Sequence, residues 1–349
     1  LFELVVKKLK FLLAIVDKYV IMKLLGKEFF KGRVVMSHEV EKMVFAGSVP
    51  WHGLGTQIDA DTGFWESFRQ AGLDWEVDTK PLFTSDGEKV SHRAAYRTSD
   101  DRILGIVGKR WTPLQNRDAF QIFEPLVDAG EMVIHTAGSL RNGERIWALC
   151  QLNQDNSEII AGDEIAKFVL LSNGHDGKLA VHFGFTPIRV VCANTEALAR
   201  GSEASKLVRV RHSRFVKQNV EKMRDVMNLA NQEFEATAEQ YRYLASRDIS
   251  SSDLRKYVRV VMGFDKVVED EMSTRSKNIT LAIEALFEGG KGTDIVGVRG
   301  SYWGAYNAVS EYLSYSKGRS ENNRMDSLWF GVNGNLNSKA LDTALQMAS

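Results

Sequence analysis

The hydrophobic period of the chain changes once, close to residue 205, and that change constrains the fold more than any single motif. From 75 to 152 apolar residues mostly recur at every second position, whereas beyond Val220 they recur every third and fourth. A period of two lines one face of a pleated strand and a period of 3.6 lines one stripe of a helix, so each pattern suits only one kind of element. The expectation is an α+β protein: an N-terminal antiparallel or mixed sheet with few helices, followed by a mainly helical C-terminal part. Residues 36–205 form the sheet-rich part and 206–349 the mainly helical part, and the two can share one core.

Within the first part, alternation marks strands near 75–83, 90–97, 103–107, 133–140 and 145–152. Arg141-Asn142-Gly143-Glu144 joins the last two through Asn-Gly, a strong hairpin signal. Phe64, Trp65, Phe68 and Ala71 recur at helical spacing behind Asp61 or Thr62 as caps, and 118–129 reads as a second helix capped by Asn116. Another strand pair, 165–172 and 179–185, is joined through 173–178. Later, Val220, Met223, Met227, Ala230, Phe234, Thr237, Tyr241 and Leu244 step by alternating threes and fours. That narrow seam packs either on the other C-terminal helices or on a second copy of the chain. Helices are also expected from Ser250 to Val261, at 271–287, at 301–315 and at 338–347.

The 349 residues are 44% hydrophobic and 26% charged, material for one large or two modest cores rather than for a disordered chain. Cys150 and Cys192 both sit in apolar runs, which suits buried free thiols and a cytoplasmic location. The first 35 residues carry eight basic and three acidic side chains and no apolar run long enough to span a membrane. They read as a non-native upstream extension preceding Met36. From Met36 onward the chain has 37 basic and 42 acidic residues, net −5.

Against that acidic background the stretch from Pro187 to Arg224 holds nine Lys/Arg and only Glu196, Glu203 and Glu221, a local charge of +6. It begins as a strand at 188–192, turns near 201–205, and resumes with Leu207, Val208 and Val210 interleaved with Lys206, Arg209, Arg211, His212 and Arg214. One face is then apolar and the other cationic, either a solvated edge balanced by neighbouring carboxylates or an anion-binding edge. As an anion site it would use Arg189, Lys206, Arg209, Arg211, His212, Arg214 and Lys217.

Other constellations carry less chemistry. Gly53-Leu54-Gly55 and Gly289-Gly290-Lys291-Gly292-Thr293 lack the spacing of phosphate loops. His175, Asp176 and His182 include metal-ligand types, but turn chemistry accounts for Asn173-Gly174-His175-Asp176-Gly177, and no further Cys or carboxylate completes a set. No cofactor or metal is implied.

Several separated motifs, PWHGLGT at 50–56, FVLLSNGHDGK at 168–178, TPIRVVCANTEALA at 186–199 with RHS at 211–213, and GSYWGAYNAVSEYLSY at 300–315, together resemble the DUF932 family of phage and plasmid proteins. The likeness runs from Met36 to the end. It implies a protein of mobile elements, whose relatives often occur beside anti-restriction and single-strand DNA functions, and it brings no mechanism. Where the family's helix often ends in Asp-His, this chain has Ser314-Tyr315.

Three functions compete. The first is a non-enzymatic factor that binds or anneals single-stranded nucleic acid through the basic stretch, helped by aromatics such as Trp51, Tyr96 or Trp111. The second is an interaction protein acting on a host component through its helical part. The third is a hydrolase with Cys192 as nucleophile, His175 or His182 as base and Asn194 as orienting group.

Overall fold

The computed structural model describes residues 40–47, 54–189, 208–221, 230–318 and 321–349. The upstream segment, Trp51, Cys192, Asn194, Lys206, Met223 and Met227 lie outside the described residues. All described residues fall in one unit, Glu39–Ser349.

The chain opens with β1 (Val40–Ala46) and β2 (Thr56–Ile58), then helix α1 (Phe64–Gln70). A three-stranded antiparallel sheet follows, built from β3 (Val77–Phe83), β4 (Lys89–Arg97) and β5 (Ile103–Val107). Two short helices, α2 (Asn116–Phe120) and α3 (Glu124–Asp128), precede the long strands β6 (Met132–Leu140) and β7 (Arg145–Leu152). β8 (Ser157–Ile160), β9 (Asp163–Gly174), β10 (Val181–Arg189) and β11 (Val208–Val210) complete a second, eight-stranded sheet in the order β11-β10-β9-β7-β6-β1-β2, with β8 beside β9. Its pairs are antiparallel except β1 with β2, so the sheet is mixed.

The C-terminal part is helical: α4 (Val216–Glu221), α5 (Ala230–Ala245), α6 (Ser251–Met262), α7 (Thr274–Gly289), α8 (Tyr302–Glu311), α9 (Glu321–Phe330) and α10 (Val332–Ala348). The hydroxyls of Ser250, Ser273 and Ser301 each accept a backbone N–H from the first turn of α6, α7 and α8. Each such cap contributes about 1 kcal/mol. The expected α+β order is therefore present, sheet first and helices after. Among the described residues no helix is long and apolar enough to cross a membrane.

Both faces of the large sheet are buried, which explains why its central strands are nearly continuous apolar runs. Along β7, Trp147 and Leu149 enter one core cluster and Ile146, Ala148 and Cys150 the other. The first cluster joins the sheet to α5, α6, α7, α8 and α10, with Trp147 and Trp329 edge to face at 5.0 Å. The second lies under α1, the small sheet and the 111–123 segment.

The 220–244 seam divides between these clusters. Val220 packs in the second, Phe234, Tyr241 and Leu244 pack in the first, and Thr237 is buried beside them. These side chains are covered by the chain itself, so self-association along this helix would have to use exposed neighbours such as Glu235 and Glu239. The expected 118–129 helix is two short helices joined by a 3-10 turn at Gln121–Phe123, with Pro125 opening α3. Asn116 is not its cap but its first residue, fully buried, and its side chain works elsewhere.

Candidate nucleic-acid interface

β11 is the edge strand of the large sheet, and its alternation is the one the sequence leads one to expect. Val210 is buried opposite Val181, while Arg209, paired across from His182, is exposed. Immediately after the strand, Arg211 and Arg214 are also exposed. Among the described residues none of these three guanidinium groups has a carboxylate within 4.0 Å. Phe215 completes the surface: it is 51% exposed, and the Arg214 guanidinium sits 4.6 Å from its ring centre. A cation stacked on an exposed ring beside further free cations suits a chain of phosphates carrying flat bases.

His212 is what turns the arginines outward. Its ring stacks on Trp111 at 5.0 Å, and Nδ1–H donates to the Thr112 carbonyl at 3.1 Å, pinning the segment to the loop after β5. Burial pushes its pKa down to about 4, against smaller opposing effects of Thr112 and Asp176. His212 is thus neutral at physiological pH and supplies position rather than charge.

Two expected contacts need correction. Arg189 is fully buried at the end of β10: Nε and Nη2 donate to the two Asp163 carboxylate oxygens, both at 2.7 Å, and Nη1 and Nη2 reach the carbonyls of Lys291 and Gly292. Trp303 Nε1–H donates to the same carboxylate at 2.8 Å. A guanidinium so enclosed cannot meet a phosphate, so Arg189 belongs to the core. Lys217 stays at the surface but is bound to Asp118 on α2 at 2.8 Å, which reduces what it can give to an anion.

Beneath the edge lies a polar knot where the SNGHDGK turn meets the RHS segment. Asn116 Nδ2 donates to the carbonyls of Leu73 and Trp75, leaving its Oδ1 to accept from His175 Nε2 at 2.8 Å. The amide orientation thereby fixes the tautomer, with the proton on Nε2. Burial, with a smaller effect of His212, pushes the His175 pKa down to about 3. Asp176 is buried as well, its Oδ1 accepting the Lys178 N–H and its Oδ2 lying 3.8 Å from Arg145. Among the described residues no three His, Cys, Asp or Glu side chains converge as a metal ion would require. The knot braces the edge.

For the nucleophilic alternative, Cys192 and Asn194 lie outside the described residues. His175 is committed to Asn116 in the core, and His182 lies at the start of β10, paired between Ser172 and Arg209. Cys150 is a free, fully buried cysteine whose thiol pKa burial pushes up. Sequence reasoning took Asn116 for a helix cap and missed Asp163 and Phe215. For Phe215 a signal existed, an aromatic set between Arg214 and Lys217; for the other two, burial and partner come only from the tertiary fold.

No curated protein and no solved structure matches the chain. One family does, described as a domain of unknown function, DUF932, over residues 103–329. That span covers β5 through α9, both the basic edge and the knot beneath it, and the chain is therefore a member of the DUF932 family.

Proposed function

We propose that the chain is a non-enzymatic factor of mobile elements, of phage or plasmid type, that binds single-stranded nucleic acid in the cytoplasm of a bacterial host. The observation that supports this reading is the group of three exposed guanidiniums, Arg209, Arg211 and Arg214, unpaired with any carboxylate among the described residues and adjoining exposed Phe215. Phosphates would meet the arginines and a base would stack on the Phe215 and Arg214 pair, which gives binding with little sequence preference. The acidic balance of the chain beyond Met36 means that attraction is local to this edge.

Fluorescence anisotropy with labelled oligonucleotides tests it. With three phosphates neutralised on a single strand, log affinity should fall against log salt with a slope of about −2. Replacing Arg209 and Arg211 by Ala should flatten that slope by about one unit or more and weaken all sequences alike. Loss of thermal stability with no change in slope, or no binding by the full chain at low salt, rejects the reading.

A further inference from the structure

The chain leaves the small sheet through a tight turn. Trp111 N–H donates to the Gly108 carbonyl at 2.9 Å, which makes Lys109 and Arg110 the two central residues of a four-residue turn directly after β5. Arg93 on β4 fixes that turn to the sheet: Nη2 donates to the Lys109 carbonyl at 3.2 Å and to the Trp111 carbonyl at 2.8 Å, and Nη1 donates to Thr79 Oγ1 at 3.0 Å. The backbone is thus engaged while the side chains are left to solvent. Both Lys109 and Arg110 are exposed, and neither is ion-paired among the described residues.

The turn closes on the residue that anchors the basic edge. Trp111 is the ring on which His212 stacks, at 5.0 Å with 23° between the planes, and the Thr112 carbonyl accepts from the same histidine at 3.1 Å. Arg110 immediately precedes one ring of that stack and Arg211 immediately precedes the other. Two exposed cationic groups, Lys109 and Arg110 on the turn and Arg209, Arg211 and Arg214 on the edge, are therefore tied to one aromatic pair.

We propose that the nucleic-acid surface continues across the Trp111 and His212 stack onto this turn, where Lys109 and Arg110 meet further phosphates of the same strand. The inference rests on the nucleic-acid reading of the β11 edge, and it gives the ligand a length. With one phosphate for each of the five cations, the strand must supply about six nucleotides, within the range of single-strand site sizes. A mononucleotide or dinucleotide engages only one of the two groups. Side chains on a pinned turn also lose less freedom on binding than those on a loose segment, and the Arg110 fork can take two oxygens of one phosphate.

Fluorescence anisotropy of the full chain with labelled oligonucleotides of about three to about ten nucleotides is the test. The edge alone gives a salt slope of about −2; with the turn engaged, the slope for the longest strand should steepen to about −3.5. Lys109→Ala with Arg110→Ala should return it to about −2. Affinity of the parent should climb until the strand reaches about six nucleotides, whereas that of the double variant should level off at about four. Both side chains are exposed and backbone groups hold the turn, so the thermal midpoint of the variant should match that of the parent. A parent slope of about −2 that the Lys109 and Arg110 changes leave unmoved overturns the second anchor while the edge stands. A slope that responds to Lys109 and Arg110 but not to Arg209 and Arg211 overturns the continuous surface and the edge, leaving the turn alone. Absence of binding by the full chain at low salt removes both.

Discussion

A guanidinium withdrawn from water needs acceptors for its donors, and Arg189 finds them in Asp163 and in the carbonyls of Lys291 and Gly292. Removing one partner of such a pair strands the other charge in the core. Arg189→Met should cost about 3–5 kcal/mol in chemical denaturation, and the double replacement Arg189→Met with Asp163→Leu should recover part of that loss. A single variant as stable as the parent would show that the pair contributes nothing. From sequence, Arg189 looks like its basic neighbours, because nothing local separates a buried cation from a solvated one. The distinction rests on the β9–β10 register, which sets Arg189 against Ile165 and so brings Asp163, 26 residues away, within reach.

At the scale of elements, strands with strong alternation were legible to within a few residues: β5 and β7 fall at 103–107 and 145–152, as the period of two requires. The hairpin between β6 and β7 follows from Asn142-Gly143, where both residues adopt positive φ. The short helices were less legible, because α2 and α3 are too brief to complete a periodic pattern and Pro125 restarts the helix midway. How elements press on one another was not legible at all. At Gly105 on β5, a Cβ would fall 2.5 Å from the Asp176 Cα, so the small sheet rests directly on the turn that carries the polar knot. Gly105→Ala should therefore force the two apart and lower stability by about 1–3 kcal/mol. A thermal midpoint equal to that of the parent would mean that the contact yields without cost.

In the molecule as a whole, one sheet serves two cores, and three histidines around it are held neutral. His135 on β6 is pushed by burial down to about 4, His212 to about 4 and His175 to about 3. With folded values below the ordinary 6.5, the unfolded chain takes up protons first. Stability should thus be intact above about pH 6.5 and fall as the pH drops toward 4, by about 1.4 kcal/mol per pH unit for each histidine. Urea titrations between pH 7 and pH 4.5 measure the slope, which His175→Gln should flatten; an unchanged slope would clear His175 of any part in acid sensitivity. The sheet-then-helix order was legible from the change of period, but the burial of both sheet faces was only hinted at by the unbroken apolar runs. Asp163, Arg189 and Trp303 carry a further consequence, for descent rather than for stability. They come from three distant parts of the chain yet share one carboxylate, so mutation at any one alters the selection acting on the other two. Lineages that replace Arg189 by an uncharged residue should also have lost the acid at 163, and an intermediate retaining only the acid should be rare.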